Sequence, residues 1–233
     1  MPSTPLWPVG YVLYVLLLSA SVEAREHHCD RSKRYDALSV QSQQDLHQGL
    51  LVNEMPSNTR SASHLGYMYK LVAHSPEMVM AVFTSYAEQK TYITNVREAT
   101  VEVQSANYAR VRLVYDLPWP LPRSEYVVND TVVQEGDTYL LYWDLHPSSP
   151  AGMSAPKYVE GYFRTQPVGP HTLIVYCNYV IPVTGWFPGM VKREGRKAMQ
   201  TTLHDIVRWV ETIATTPAAS GQRIARLRAM LAR

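Results

Sequence analysis

Apolar and polar positions alternate in short runs between residues 65 and 181, the period of a strand with one buried face. Val111, Leu113 and Tyr115 alternate with Arg110 and Arg112. Ala99, Val101 and Val103 lie opposite Glu102 and Gln104. Such runs at 65–73, 97–104, 108–115, 126–133, 138–145, 158–165 and 172–181, divided by Gly, Pro, Asn or Ser, predict antiparallel strands. After residue 188 the period changes. Met199, Leu203, Ile206, Val210 and Ile213 recur at helical spacing and predict one long amphipathic helix over 188–214. Ser75-Pro76-Glu77 opens a shorter helix, with Ser as N-cap, Pro in the first turn and an acid at the positive end. Residues 88–92 suit another short helix. Upstream, 36–49 suit a helix ending at Gly49, and 50–52 begin a short strand.

This order predicts an α+β domain in which one antiparallel sheet bends around a long C-terminal helix. Gly195 and Ala198 are small residues on that helix, which leaves room for a cavity against the sheet. The 233 residues fit one domain with appendages. The expected boundaries are 1–24 for a targeting segment, 25–49 for a linker and short helix, 50–214 for the domain, and 215–233 for a basic tail.

Charge and composition remove several function classes. The net charge is +2 with no basic stripe, which sets nucleic acid aside as a partner. No G-x-S-x-G, H-E-x-x-H or glycine-rich phosphate loop is present, so no catalytic residue and no cofactor is assigned. His27, His28, Cys29 and His47 match no metal-ligand spacing. The two cysteines, Cys29 and Cys177, allow one disulfide at most, and Cys177, inside an apolar strand, reads as a buried free thiol. The 16 tyrosines suit strands and ligand-facing walls alike. An apolar core at 11–18, followed by Val22-Glu23-Ala24, resembles a secretory signal peptide and implies a secreted or periplasmic protein. An uncleaved N-terminal membrane anchor is the alternative, since no Lys or Arg precedes that core. In the tail, Arg223, Arg226, Arg228 and Arg233 are interleaved with Ile224, Leu227 and Leu231. This reads either as a transient membrane contact or as a disordered end.

Four segments carry a family resemblance. They are Ser75-Pro76-Glu77 through Phe83, Pro118-Trp119-Pro120-Leu121 with Glu125-Tyr126-Val127, Pro156-Lys157 through Gly161 to Arg164, and Gly185-Trp186-Phe187-Pro188. In order and spacing they resemble the START branch of the SRPBCC (helix-grip, Bet v 1-like) superfamily across residues 50–214. The resemblance implies the helix-grip fold and non-catalytic binding, with possible transfer, of a lipid-type ligand in an internal cavity. It also implies that the loop 146–156 opens for ligand entry. Three positions depart from the family pattern. Ser124 stands where the family has arginine, with Arg123 beside it. Pro182 replaces an aspartate. Val111 and Asp130 occupy the acid and base positions of sterol-binding relatives, so a sterol held in the usual way is disfavoured.

The expected cavity lining is Val111, Leu113, Tyr115, Tyr126, Val128, Asp130, Val175, Cys177, Tyr179, Gly195, Ala198 and Met199. Asp130 shares a strand face with Tyr126, Val128 and Val132, and would either meet a ligand or be exposed by a bulge or paired with arginine. Glu160, Tyr162 and Arg164 face outward by alternation, where with Asp144 they would form ordinary surface pairs. Two other readings stay open. One is a cyclase/aromatase-like enzyme using the same pocket; the other is a packed interaction domain without ligand.

Overall fold

A computed structural model describes residues 27–56, 63–116, 123–150, 155–182 and 188–232. The targeting segment 1–24 and the motifs at 118–121 and 185–187 lie outside the described residues, as do 151–154 of the loop. The alternating runs become strands β1 (Val52–Glu54), β2 (His64–Val72), β3 (Val96–Ser105), β4 (Tyr108–Tyr115), β5 (Ser124–Glu135), β6 (Thr138–Leu145), β7 (Tyr158–Val168) and β8 (His171–Ile181). The helices are α1 (Val40–His47), α2 (Pro76–Phe83), α3 (Gln89–Tyr92), α4 (Pro188–Ala214) and α5 (Pro217–Leu231).

All eight strands pair antiparallel in one sheet, ordered β1-β2-β8-β7-β6-β5-β4-β3. Strands β3 to β8 are successive neighbours, and β2 adds to the far side of β8. The chain therefore crosses from one side of the sheet to the other between β2 and β3, and it does so through α2 and α3. The Ser75 hydroxyl accepts the Met78 N–H at 3.2 Å, so the cap legible in the sequence starts α2. The apolar stripe of α4 lies against the inner face of the sheet. Leu203, Ile206 and Val210 are fully buried with Met68, Val132, Phe163 and Ile174. The expected α+β helix-grip architecture is therefore the observed one. One strand departs locally. Register shifts after Val96 and after Val101 break the alternation of β3 and leave Val103 exposed instead of in line with Ala99.

The outer face is not a solvent surface along β2, β8 and β7. The N-terminal segment lies over it and buries Cys29, Leu38 and Leu46 against Tyr69, Tyr162, Leu173 and Val175. Cys29 and Cys177 form a disulfide across 148 residues, which corrects the expectation of a free thiol. Alternation aims Cys177 outward, where the segment brings Cys29 to it. The same cover overturns the expected surface pairing of Glu160, Tyr162 and Arg164. All three point outward, yet each is at most 3% exposed. The Glu160 carboxylate accepts the backbone N–H groups of His28 and Cys29 and the Tyr158 hydroxyl. The Tyr162 hydroxyl donates to the Asp30 carbonyl at 2.8 Å, and Arg164 donates to the Arg31 carbonyl at 2.6 Å. The segment's backbone thus takes the place that surface partners were expected to hold.

The basic tail is a helix rather than a disordered end. In α5, Leu227 is fully buried, Arg228 makes a two-pronged pair with Glu77 of α2 at 2.6 and 2.7 Å, and Arg223 pairs with Glu88. With Arg226 also 3.8 Å from Glu88, three of the arginines of the stretch are engaged with acids of the same domain.

Replacing both cysteines (Cys29→Ser with Cys177→Ser) removes a link that closes a very long loop. The expected loss is about 2–5 kcal/mol of unfolding free energy. Urea denaturation with and without reductant checks it: reductant should shift the wild-type midpoint down and leave the double variant unmoved.

Candidate functional site: a cleft between the sheet and the long helix

The inner rows of β4, β5 and β6 stand opposite one another in register: Val111 with Val128, Leu113 with Tyr126, and Asp130 with Trp143. With Tyr176 and Asn178 of β8, Phe83 of α2, Gln89 and Ile93 at α3, and Thr202 of α4, they enclose a cleft. Its volume is ≈ 60 Å³. That is room for a few waters or a small organic body.

Six of the twelve expected lining residues meet there: Val111, Leu113, Tyr115, Tyr126, Val128 and Asp130. Val175, Cys177 and Tyr179 do not. They lie on the outer face of β8 under the N-terminal segment, and Tyr176 and Asn178 take the inner positions. Both faces of β8 are buried, so its sequence lacks the polar alternation that marks the inner row. Gly195 packs against His64 instead, since a Cβ there would stand 2.6 Å from the imidazole Cγ. The Met199 sulfur lies 3.1 Å from His64 Nε2. Burial, with Arg196 and Lys192 nearby, lowers the His64 pKa to about 4 and keeps the ring neutral in this packing. Ala198 is half-buried and off the cleft.

Trp143 was not expected in the lining, although a signal for it exists. Gly161 stands opposite it in register, and any Cβ there would come within 2.3 Å of the indole Cζ2. The glycine lets the large ring lie across β7 and face Phe83 and Tyr176, with ring centres 6.4 and 5.9 Å away. The rings of Tyr115 and Tyr126 stack at 5.5 Å.

Asp130 faces inward and is 6% exposed. The register around it is continuous, so no bulge turns it out, and among the described residues no arginine pairs with it. Both alternatives to an inward acid are thereby overturned. Burial raises its pKa to about 8, reinforced by the negative charge of Asp144 and opposed by the neighbouring Tyr86 hydroxyl. That hydroxyl is buried and makes no hydrogen bond of sound geometry, and the Asn178 Oδ1 is likewise buried without a partner. The cleft therefore couples apolar and aromatic walls to a few unspent polar atoms.

No family model matches the chain, and no curated protein matches it. Solved structures do. The STAR-related lipid transfer protein of Xanthomonas axonopodis superimposes with a TM-score of 0.63 at 12% identity, over 69% of this chain and 93% of that one. This is the fold of the START domains. Human STARD10 gives a TM-score of 0.60 at 15% identity, over 72% and 74% of the two chains. The START-type fold also extends to BexL, a di-domain aromatase/cyclase, with a TM-score of 0.52 at 8% identity over 66% and 50%. At such identities the likeness is one of fold.

Two outcomes are expected here. An acid whose folded pKa is raised keeps a proton that the unfolded chain has already lost. Asp130 therefore costs stability as pH climbs from about 4 to about 8, by up to about 1.4 kcal/mol per pH unit. Asp130→Asn should flatten that part of the stability–pH curve and be more stable than wild type at pH 9, as read by denaturant melts. Gly161→Ala should destabilise by about 1–3 kcal/mol or more, because its Cβ would stand 2.3 Å from the Trp143 ring and 2.5 Å from the Cys177 carbonyl oxygen, and both would have to shift. A lowered melting temperature with reduced near-ultraviolet tryptophan dichroism checks this.

Proposed function

We propose that this protein binds a hydrophobic small molecule non-covalently in the cleft between the sheet and α4, and carries it without chemical change. The observation that carries the reading is the composition of the cleft. Five aromatic rings and five aliphatic side chains form its walls, and Gln89, Asp130, Asn178 and Thr202 supply its polar groups. Apolar walls supply affinity by removing ligand surface from water, at about 25 cal/mol per Å², while a few polar groups fix orientation. The START-type fold supports the reading, because neighbours in fold include lipid transfer proteins. At ≈ 60 Å³ the cleft suits a compact ligand, and a long-chain lipid would require α4 to move away from the sheet.

A cyclase/aromatase activity is the second reading, supported by the fold likeness to BexL. Acid–base chemistry of that kind is served by a proton acceptor and donor poised together. Among the described lining residues Asp130 stands without His, Lys or Arg, which favours binding over chemistry. The apolar segment at 11–18 and the Cys29–Cys177 disulfide together support a secreted or periplasmic location, since disulfides persist in oxidising compartments.

Native mass spectrometry of the protein purified from an oxidising compartment tests the reading. A bound organic mass, or uptake of one from liposomes, is expected, and the released ligand should be unchanged in mass. Val128→Trp, which fills the cleft, should abolish the bound species while the protein still unfolds cooperatively. Empty protein with no uptake would reject the proposal.

A further inference from the structure

We propose that the cleft selects a compact organic cation, a protonated amine carried on an apolar body. The inference rests on the hydrophobic-ligand reading and narrows it to one chemical class.

Charge is the first argument. Among the described lining residues Asp130 is the one whose side chain gains a formal charge near neutral pH, and none of them is Lys, Arg or His. Asp144 lies close enough to add to the negative potential at that carboxyl. Burying an ammonium is costly unless it meets an opposite charge, and Asp130 provides one that no cation among the described residues already occupies. The walls are the second argument. Phe83, Tyr115, Tyr126, Trp143 and Tyr176 all border the space, and aromatic faces attract cations most strongly where water is excluded. A protonated amine brings a charge for Asp130 and N–H groups that donate to its carboxylate, whereas a neutral alcohol brings no charge and a quaternary ammonium brings no N–H.

Binding such a ligand also has a proton signature. Among the described residues the ionisable side chains that act on Asp130 from its own face are Tyr86, Tyr115 and Tyr126, while Asp144 acts through the sheet from the outer face, and none of them is a cation. In the free protein the carboxyl titrates at about 8 and is mostly protonated at pH 7. An ammonium beside it favours the carboxylate, so the complex forms with release of close to one proton.

Isothermal titration at pH 7 with n-hexylamine and 1-hexanol, in two buffers of different ionisation enthalpy, tests the inference. The amine should bind about tenfold or more tightly than the alcohol and should release up to about one proton. Asp130→Asn should remove both the preference and the proton release. If that variant does not fold, proton release by the wild type decides alone. Equal affinity for the two probes, or an amine preference that survives in Asp130→Asn, overturns the inference. Tighter binding of benzyltrimethylammonium than of hexylamine overturns the part assigned to N–H donation to the Asp130 carboxylate. Binding of hexanol without amine preference overturns the cation and leaves the hydrophobic-ligand reading standing. Binding of neither probe, with empty protein in native mass spectrometry, overturns both.

Discussion

A sheet whose central strands are apolar on both faces must be covered twice, and the rest of this structure follows from that demand. The inner cover is the stripe of α4, which meets the rows of β2, β8 and β7. The outer cover is the N-terminal segment, which has few regular elements of its own and leans on the sheet for its hydrogen bonds. Neither cover is stable alone: an amphipathic helix owes most of its stability to the packing of its apolar face, and an irregular segment has no ladder. Tyr67, Tyr162, Glu160 and Arg164 meet the segment's N–H and C=O groups, so side chains that a two-layer fold would leave to solvent become its scaffold.

Most of the fold was legible in the sequence, for a physical reason. In β4, β5 and β6 one face is apolar and the other polar, so alternation reports orientation directly and six cleft residues follow from it. In β8 both faces are buried, the pattern carries no phase, and Val175, Cys177 and Tyr179 were placed on the wrong side. The disulfide was illegible for the same reason, because a cysteine in an apolar run looks the same whether it faces core or cover. The α5 helix escapes a sequence reading because its arginines read as a free basic surface, whereas Glu77 and Glu88 on distant elements engage three of them. Gly161 held a usable signal. A glycine in the middle of a strand points to something large lying over it, and here that is Trp143.

Asp130 is the place where local rules and the fold disagree. A carboxyl in an apolar row with no positive partner is a cost that a purely structural core would shed, and asparagine or valine would fill the space. Its neighbours compound the cost, since Tyr86 and Asn178 also leave buried polar atoms unspent. Such local inconsistency concentrated in one cleft is the usual mark of a site shaped for something other than stability.

The long link between Cys29 and Cys177 also orders events in time. A ribosome releases Cys29 148 residues before its partner, and β2 likewise waits for β8. Through most of synthesis the early chain therefore holds apolar surface for which no mate yet exists. The domain is completed from its last third backwards, when β8 arrives between two neighbours and presents Cys177 to the waiting thiol.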